Sequence, residues 1–323
     1  GYAQKSMSRY YAWTFTNTAE YKFDIANEHN FTFLLGQESI MTKSTSFGVF
    51  TEGHTDVRQL RLDQGTNVAM SDITDSKTES AFNSYFLNMN YDWNEKYYLD
   101  ATVRRDASSK FAPKDRWATF WSVGAMWNIT KESFMQDVDW LNLLQLKVSY
   151  GTTGNSSIGD YAYLGLLGSG NPYKGQGTIG ISQPSNVDLT WETVNSFDVG
   201  VSARIFDRAT INVDFYDKRT ENMLLSIPYS YTTGFSSGFG NIGSMANTGV
   251  DLDVKVDILS GKDYYWNVRA NVNYNNDRIT KLFNGRDEFT LADYGLQYKV
   301  GHSSGEFWQV RYAGVDPRDG KQM

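Results

Sequence analysis

Hydrophobic and polar residues alternate along much of this chain, and the alternation has a period of two. From Trp266 to Tyr274 every second residue is hydrophobic, and Asn or Arg occupies each position between them. The stretch from Val250 to Ile258 repeats the pattern, with Asp or Lys at the intervening positions. A period of two is typical of a β-strand with one apolar face and one polar face. The segment 260–263 is therefore predicted to be a turn between two antiparallel strands.

The same alternation recurs in residues 85–93, 97–105, 144–150, 193–205 and 209–215, so that about ten strands are predicted. Most have roughly ten or more residues, whereas ordinary strands average about five or six. Short connections are predicted near residues 24–28, 94–96, 130–140, 207–208 and 260–263, with room for one helical turn in 130–140. Long connections rich in Gly, Ser, Thr and Asn are predicted near residues 41–80, 107–116, 152–189, 219–244 and 276–305.

Long two-faced strands that alternate short turns with long loops describe a transmembrane β-barrel, whose strands need about 9–11 residues to cross the bilayer. We predict an all-β fold, an antiparallel transmembrane β-barrel segment with short periplasmic turns and long extracellular loops. The complete wall must close, because lipid cannot satisfy the backbone groups of an open sheet edge. The alternative is a soluble antiparallel sandwich, which also alternates but has shorter strands and less regular connections.

The aromatic residues sharpen this prediction. They make up 15% of the chain, although the mean hydropathy of −0.49 is that of a polar protein. Amphipathic rings concentrate at the two interfaces of a membrane, so two belts are expected. One belt, near the short turns, comprises Trp93, Tyr97, Trp127, Tyr264 and Trp266, and the other, nearer the long loops, comprises Tyr150, Trp191, Tyr216 and Tyr274.

Composition removes several classes of function. The 323 residues include no Cys, which excludes disulfide frameworks, Cys-ligated zinc sites and iron–sulfur sites. The formal net charge of −7 argues against nucleic-acid binding, which needs a basic surface. No run of about 18 apolar residues occurs, so no transmembrane helix is predicted.

Motifs of enzymes and metal sites are also missing from the sequence. The three histidines, His29, His54 and His302, are dispersed and lack the spacing of a metal site. There is no G-x-S-x-G nucleophile motif. We therefore expect no enzyme activity, no catalytic residue, no metal and no cofactor.

Carboxylates on the predicted polar faces are better explained as ion-pair partners than as acid–base groups. Arg104 and Lys255 lie among them in the sequence, and a wet barrel interior supplies both partners and water. We expect ion-pair networks in the lumen that involve Asp100, Asp106, Asp251, Asp253 and Asp257.

Six aromatic residues in two long Gly- and Ser-rich loops are candidates for substrate contact. Flat aromatic faces beside Asn side chains suit sugars or peptides. The alternative is that these rings pack against the rim of the barrel or against a partner that covers it. The candidates are Tyr163, Tyr173, Tyr229, Tyr231, Phe235 and Phe239.

Several short segments follow one another in an order that identifies a family. Arg105 to Phe111 reads R-D-A-S-S-K-F, residues 146–155 read L-K-V-S-Y-G-T-T-G-N, and residues 189–192 read L-T-W-E. N-M-L-L at 222–225, N-I-G at 241–243, N-T-G-V-D at 247–251 and Y-A-G-V-D-P at 312–317 follow. Together they resemble the segments of SusC/RagA-type TonB-dependent outer-membrane transporters. Ala107 and Asp251 stand where that family usually has Gly and Glu.

The resemblance implies a location, a partner set and a cargo. Members sit in the outer membrane of Gram-negative bacteria, in contact with its lipid, and import oligosaccharides or peptides. A SusD-like surface lipoprotein covers the barrel, and the TonB–ExbB–ExbD complex acts on N-terminal parts of the protein. The family barrel has about 22 strands. Residues 1–323 would then be one part of this barrel domain, about 10 or 11 strands, with the plug domain and the final strands outside the chain.

Two other functions stay open at this point. A passive porin or a surface glycan-binding, adhesive barrel would share the strand pattern but would need neither a plug nor an energy source. A soluble β-sandwich lectin or hydrolase would share the alternation alone.

Overall fold

The computed structural model describes residues 1–69, 72–174, 176–291, 296–308, 312–315 and 317–318. Sixteen β-strands lie within these residues. The strands are β1 (Tyr2–Ile25), β2 (His29–Glu52), β3 (Ile73–Trp93), β4 (Tyr97–Ser108), β5 (Trp117–Asn128), β6 (Leu141–Asn155), β7 (Leu166–Tyr173), β8 (Gln176–Gln183), β9 (Glu192–Ile205), β10 (Ala209–Glu221), β11 (Leu224–Pro228), β12 (Ser237–Asn241), β13 (Ser244–Ser260), β14 (Tyr265–Lys281), β15 (Glu288–Leu291) and β16 (Leu296–Lys299). Ten of them form one antiparallel sheet in the order β1-β2-β3-β4-β5-β6-β9-β10-β13-β14.

The register of this sheet gives it two chemically different faces. One row of directly paired residues crosses all ten strands and is hydrophobic throughout. It consists of Tyr274, Val250, Phe215, Val199, Val148, Ala125, Leu99, Tyr91, Phe31 and Phe23. The adjacent row, on the other face, contains no aliphatic residue larger than Gly, and consists of Asn275, Gly249, Tyr216, Asp198, Ser149, Gly124, Asp100, Asn90, Thr32 and Lys22. The predicted apolar and polar faces are therefore confirmed.

The first three strands are longer than the sequence pattern indicated. A long loop was expected near residues 41–80, but β2 continues to Glu52 and β3 begins at Ile73, so that the loop spans only residues 53–72. Hydroxyl pairs join the two strands in this part, Thr42 with Ser80 at 2.6 Å and Ser46 with Ser76 at 2.7 Å. Beyond the apolar band a strand needs no hydrophobic face, so the alternation fades although the backbone ladder continues.

Three of the expected long loops contain β-hairpins of their own. β7 pairs with β8 in the connection from β6 to β9, β11 pairs with β12 between β10 and β13, and β15 pairs with β16 after β14. The short connections lie where they were predicted, and the segment after β5 holds two single 3₁₀ turns, Ile129–Lys131 and Ser133–Met135. Among the described residues, no helix has the length and hydrophobicity to cross a bilayer.

The aromatic residues at the short-turn end stack across four strands. His29, Trp93, Tyr97 and Trp127 have successive ring-centroid distances of 5.8, 5.6 and 6.2 Å, with nearly parallel planes. The Tyr97 hydroxyl and the Trp127 Nε1–H donate to Glu132 Oε1 at 2.6 and 3.2 Å. These hydrogen bonds lower the pKa of the Glu132 carboxyl below its usual value. A rigid aromatic belt thus borders the apolar face at this end.

Two members of the second predicted belt are placed elsewhere. Tyr150 and Tyr274 lie on the apolar face, as predicted. Tyr216 lies on the polar face, because its neighbour Phe215 takes the apolar side of β10, and its ring rests against Gly249. Trp191 precedes β9 and is only 5% exposed, since it is packed among loops. The assignment of Tyr216 and Trp191 to the membrane interface was therefore wrong.

A charge on the apolar face is expected to destabilise the protein far more than one on the polar face. Val254 lies at the centre of the apolar stretch of β13 and pairs with Ile211 and Ala270. We expect Val254→Arg, or Val268→Arg on β14, to lower the free energy of unfolding by about 2–4 kcal/mol, because lipid must solvate the guanidinium. The measurement is urea unfolding of the full-length protein in lipid vesicles.

The matched control is Asn271→Arg, which introduces the same side chain on the polar face of β14 beside Asp253. Its unfolding free energy should stay close to that of the wild type. Equal losses at positions 254 and 271 would contradict the assignment of the faces.

Candidate functional site

A cluster of buried hydrophobic side chains joins the loops at the long-loop end of the sheet. Phe111 and Leu189 have no exposed surface, and the other members are between 5% and 8% exposed. Phe82 of β3 and Ala118 of β5 lie on the polar face of the sheet and pack against this cluster. The cluster therefore lies on the polar side of the sheet, which faces the lumen in a closed barrel. We call it the loop core; it comprises Phe111, Phe120, Ile158, Ala162, Leu189 and Trp191.

Trp191 is the centre of the loop core. Its ring centroid lies 5.3 Å from that of Phe111, 5.6 Å from Phe120 and 5.9 Å from Phe82. Its Nε1–H donates to the carbonyl oxygen of Arg116 at 3.1 Å, so the polar atom of the buried indole is satisfied. One side chain therefore ties the segment before β9 to β3, to β5 and to the loop between β4 and β5.

The sheet itself makes room for this packing at one glycine. The far end of the Phe120 ring lies against Gly154 of β6, where a Cβ atom would collide with it. A glycine within a strand often marks such a close approach. Any larger residue at position 154 would push Phe120 away from Trp191.

Two polar side chains fasten the β11–β12 hairpin to the loop core. Asn241 accepts from the Thr190 N–H at 2.8 Å and donates to the carbonyl oxygens of Thr190 and Asn222 at 2.7 and 2.9 Å. Glu192 accepts from Asn155 Nδ2 at 3.1 Å and from the Leu224 N–H at 3.0 Å. The base of this hairpin is thereby fixed to the start of β9.

The β7–β8 hairpin is fixed at its base by one amide. Gln183 Nε2 donates to the carbonyl oxygens of Tyr161 at 3.0 Å and Leu164 at 2.8 Å. Nearby, Lys114 Nζ lies 2.5 Å from Asp188 Oδ1, and this hydrogen bond raises the pKa of Lys114. Both hairpins therefore rise from a rigid base formed by the loop core.

The family-like segments of the sequence meet in this loop core. They include three members of the loop core, Phe111, Leu189 and Trp191. They also include Glu192 and Asn241, which bind the base of the β11–β12 hairpin. The hydrophobic periodicity did not identify these residues, because they lie outside the alternating stretches or next to one end of them. The signal that marked them was the order of the short segments along the chain.

The first two candidate aromatic residues have different surroundings. Tyr163 is half-buried and packs against the loop core, which is the alternative considered for it. Tyr173, at the end of β7, is 69% exposed, and the Lys174 ammonium lies 5.7 Å from the centre of its ring. Tyr173 presents the more accessible surface of the two.

The other four candidates lie on the connection that carries β11 and β12. Tyr229 is half-buried with its ring against Gly238, Phe235 is half-buried, and Phe239 of β12 is 39% exposed. The side chain of Tyr231 lies outside the described part of the chain. Asn186 Nδ2 donates to the Phe239 carbonyl oxygen at 2.8 Å, which links the two loops. The role of all six residues in substrate contact stays a prediction.

Below the loop core, the polar face carries an arginine network. Arg104 Nε donates to Asp106 Oδ1 at 2.7 Å, and Nη2 donates to Ser84 Oγ at 2.9 Å. Glu38 Oε1 lies 3.5 Å from the same nitrogen, and the guanidinium carbon lies 5.6 Å from the centre of the Phe86 ring. Asp106 is only 6% exposed, so Arg104 is the partner that replaces solvent around its carboxylate. The predicted lumen ion pair of Arg104 with Asp106 is present.

The other four carboxylates predicted for the lumen differ in their partners. Lys255 pairs with Asp257 at 3.4 Å and Arg269 pairs with Asp253 at 2.8 Å, while Asp251 accepts from Asn273. Asp100 lies against Gly124 and has no ion pair or side-chain hydrogen bond within the described residues, so the ion pairing predicted for it was wrong. Within the same residues no three His, Asp or Glu side chains are grouped to hold a metal ion.

Comparison with known proteins gives one family for the whole length of the chain. The model of the family described as "TonB dependent receptor-like, beta-barrel" matches residues 1–321. TonB-dependent receptor P39 of Formosa agariphila is 32% identical over 75% of this chain and 23% of its own length. TonB-dependent receptor SusC of Bacteroides thetaiotaomicron is 31% identical over 76% of the chain and 26% of its own length. The chain thus spans about a quarter of the length of these relatives.

Solved structures give the same architecture. The chain is 38% identical to a chain of the RagAB peptide transporter over 99% of its residues, with a TM-score of 0.90, and covers 35% of that chain. The siderophore receptor PirA of Acinetobacter baumannii is 15% identical over 86% of this chain, with a TM-score of 0.55, and shares the fold alone.

Removing a buried side chain from the loop core is expected to loosen both hairpins. We expect Leu189→Ala to lower the free energy of unfolding by about 2–5 kcal/mol, because it leaves a cavity among side chains that cannot fully collapse. Hydrogen exchange of the full-length protein should then be faster in residues 166–183 and 224–241.

Leu167→Ala is the matched control, since Leu167 on β7 is 71% exposed. Its effect on unfolding should be within about 0.5 kcal/mol. If the exchange of residues 224–241 is unchanged in Leu189→Ala, the loop core does not hold the β11–β12 hairpin.

Proposed function

The chain belongs to the TonB-dependent receptor-like β-barrel family, and from this membership we propose that it forms part of the wall of an outer-membrane transporter that imports oligosaccharides or peptides. The observation that carries the proposal is the 38% identity to the RagAB peptide transporter over 99% of the chain. The two-faced sheet supports it, because one face suits lipid and the other suits a wet lumen. The protein acts by selective passage, and this segment carries out no bond chemistry.

The cargo is an oligomer that is either a peptide or an oligosaccharide. The 38% identity to a peptide transporter over 99% of the chain favours the peptide. The two hairpins support either class, since residues 222–243 contain no charged side chain and residues 161–187 contain only Lys174. Neutral surfaces of hydroxyls, amides and aromatic rings suit a neutral polar ligand.

The hairpins and the loop core supply the external contact surface in this proposal. Tyr173, Tyr229, Phe235 and Phe239 present rings on two hairpins whose bases are rigid, so little ordering of the base is needed when cargo binds. Tyr231 is a fifth candidate on the second of these hairpins. Tyr163 positions the surface from below through its packing on the loop core. A SusD-like lipoprotein would cover this end of the barrel.

The energy for import would come from the TonB–ExbB–ExbD complex, acting on parts of the protein outside this chain. The alternative, a passive porin or adhesive barrel, requires no energy source. Uptake measurements therefore separate the two functions.

Import is expected to depend on TonB. In the source bacterium, deletion of the gene for the full-length protein should abolish growth on its cargo, supplied as an oligopeptide or an oligosaccharide sole carbon source. Deletion of tonB should abolish uptake of the labelled cargo to the same extent, because the TonB complex supplies the energy for passage through the full-length protein. Growth on glucose is the control. Uptake that persists without TonB would favour the porin, and growth unchanged by the gene deletion would contradict import.

Aromatic rings on both hairpins are expected to contribute to cargo affinity. We expect Tyr173→Ala and Tyr229→Ala each to raise the Kd for the identified cargo about tenfold, as the loss of an aromatic anchor does in other interfaces. Isothermal titration calorimetry on the full-length protein measures it. Phe206→Ala is the control, because Phe206 is a 67% exposed aromatic residue in a turn at the opposite end of the sheet. Equal affinities of all three variants would remove these rings from the site.

A further inference from the structure

Arg105 lies on the apolar face of the sheet, at the long-loop end of its hydrophobic band. It follows Leu99, Ala101 and Val103 on that face of β4, and it pairs with Tyr85 of β3 and Thr119 of β5. In a membrane-embedded wall this position is the boundary between the hydrocarbon and the headgroups. A charged side chain at this depth can reach the headgroups while its stem stays on apolar surface.

An aromatic platform holds the guanidinium of Arg105. The guanidinium carbon lies 5.4 Å from the centre of the Trp117 ring, and Trp117 stacks on Tyr85 at 6.1 Å with an interplanar angle of 21°. A cation over the face of Trp is attracted by the ring and keeps a defined orientation. The side chain is exposed, so its hydrogen-bond donors remain open to the outside.

Within the residues that the structure describes, no carboxylate on this face pairs with Arg105. Asp106 follows it in the chain but points to the opposite face, where it pairs with Arg104 at 2.7 Å. Among the described residues, Arg105 has neither a salt bridge nor a side-chain hydrogen bond. By contrast, Arg219, on the same face of β10, donates to Asp217 at 3.1 Å. Within the described part of the sheet, Arg105 is a cation without a counter-charge at the membrane boundary.

The neighbouring surface is neutral and rich in amides. Asn17 Nδ2 donates to Gln37 Oε1 at 3.1 Å, and Gln37 Nε2 donates to Asn83 Oδ1 at 3.2 Å and to Ser39 Oγ at 2.7 Å. Gln37 is paired with Tyr85, so this ladder lies at the level of Arg105. Polar groups without acidic charge would tolerate an anionic headgroup beside them.

We propose that Arg105, oriented by Trp117, binds the phosphate of an anionic lipid headgroup in the outer leaflet of the membrane. A guanidinium presents N–H donors in a planar fork that matches phosphate oxygens. The proposal requires the membrane location that the family gives, and it is independent of the nature of the cargo. The ligand source is the lipid and not free phosphate, because the site opens on the apolar face.

The test uses the full-length protein in neutral detergent and native mass spectrometry, with phosphatidylglycerol as the anionic probe and phosphatidylcholine as the zwitterionic one. We expect Arg105→Gln to weaken phosphatidylglycerol binding about fivefold, which is typical for one basic residue at a membrane surface, with little effect on phosphatidylcholine. Arg105→Lys keeps the charge but loses the planar fork, and should give an intermediate loss. Thermal unfolding in neutral detergent checks that each variant is folded.

Arg58→Gln is the matched control, since it removes an arginine from the loop between β2 and β3, where Arg58 pairs with Asp56 at 2.7 Å. It should bind phosphatidylglycerol like the wild type. Equal affinity in folded Arg105→Gln, or in Arg105→Lys should the Gln variant not fold, would overturn the proposal. Displacement of phosphatidylglycerol by inorganic phosphate alone would overturn its lipid source.

Discussion

The backbone hydrogen bonds that join ten strands, from β1 to β14, into one sheet are the constraint on which the rest of this structure depends. Lipid offers no partner for a peptide group, so every strand that crosses it must be paired on both sides. A fixed register follows, because a slip of one residue would exchange the two faces. The row of ten hydrophobic residues from Tyr274 to Phe23 shows that no strand has slipped. The two faces, the aromatic belt and the position of Arg105 are all consequences of that register.

Where the ladder leaves the apolar band, a different kind of interaction takes over. The loop core is a small hydrophobic cluster stabilised by burial around Trp191, with the hydrogen bonds of Asn241 and Glu192 at its rim. A two-stranded hairpin alone is marginally stable in water. The loop core supplies the base on which β7–β8 and β11–β12 can stand. The sheet thus supports the loop core, and the loop core supports the two hairpins.

The sequence predicted a strand wherever the two faces of that strand meet different environments. It did not predict the strand where the two faces meet similar environments. The alternation from Val250 to Tyr274 predicted faces and pairing correctly, because lipid and water impose opposite requirements on successive residues. It failed in residues 41–52 and 73–80, where both faces of the strands lack that contrast. Proximity to a long loop placed Tyr216 in the belt, although the parity of β10 turns it to the polar face.

The loop core was not predictable from local pattern, since its members come from segments far apart in the chain and meet only once the register is formed. The resemblance marked Phe111, Leu189 and Trp191 of that cluster, but not their contacts.

Arg104 and Arg105 show how the two faces solve one problem differently. They are adjacent in the chain and point to opposite sides of β4. On the polar face, Arg104 is surrounded by Asp106, Glu38 and Ser84, because a narrow wet space concentrates the protein's own counter-charges. On the apolar face a carboxylate carries its own cost wherever lipid must solvate it, as an arginine does, although Asp217 pairs with Arg219 on that face of β10. An aromatic ring carries no such cost and still attracts a cation, so Trp117 holds Arg105 where Asp106 holds Arg104. The charge that the ring leaves unbalanced is then available to the headgroups of the membrane.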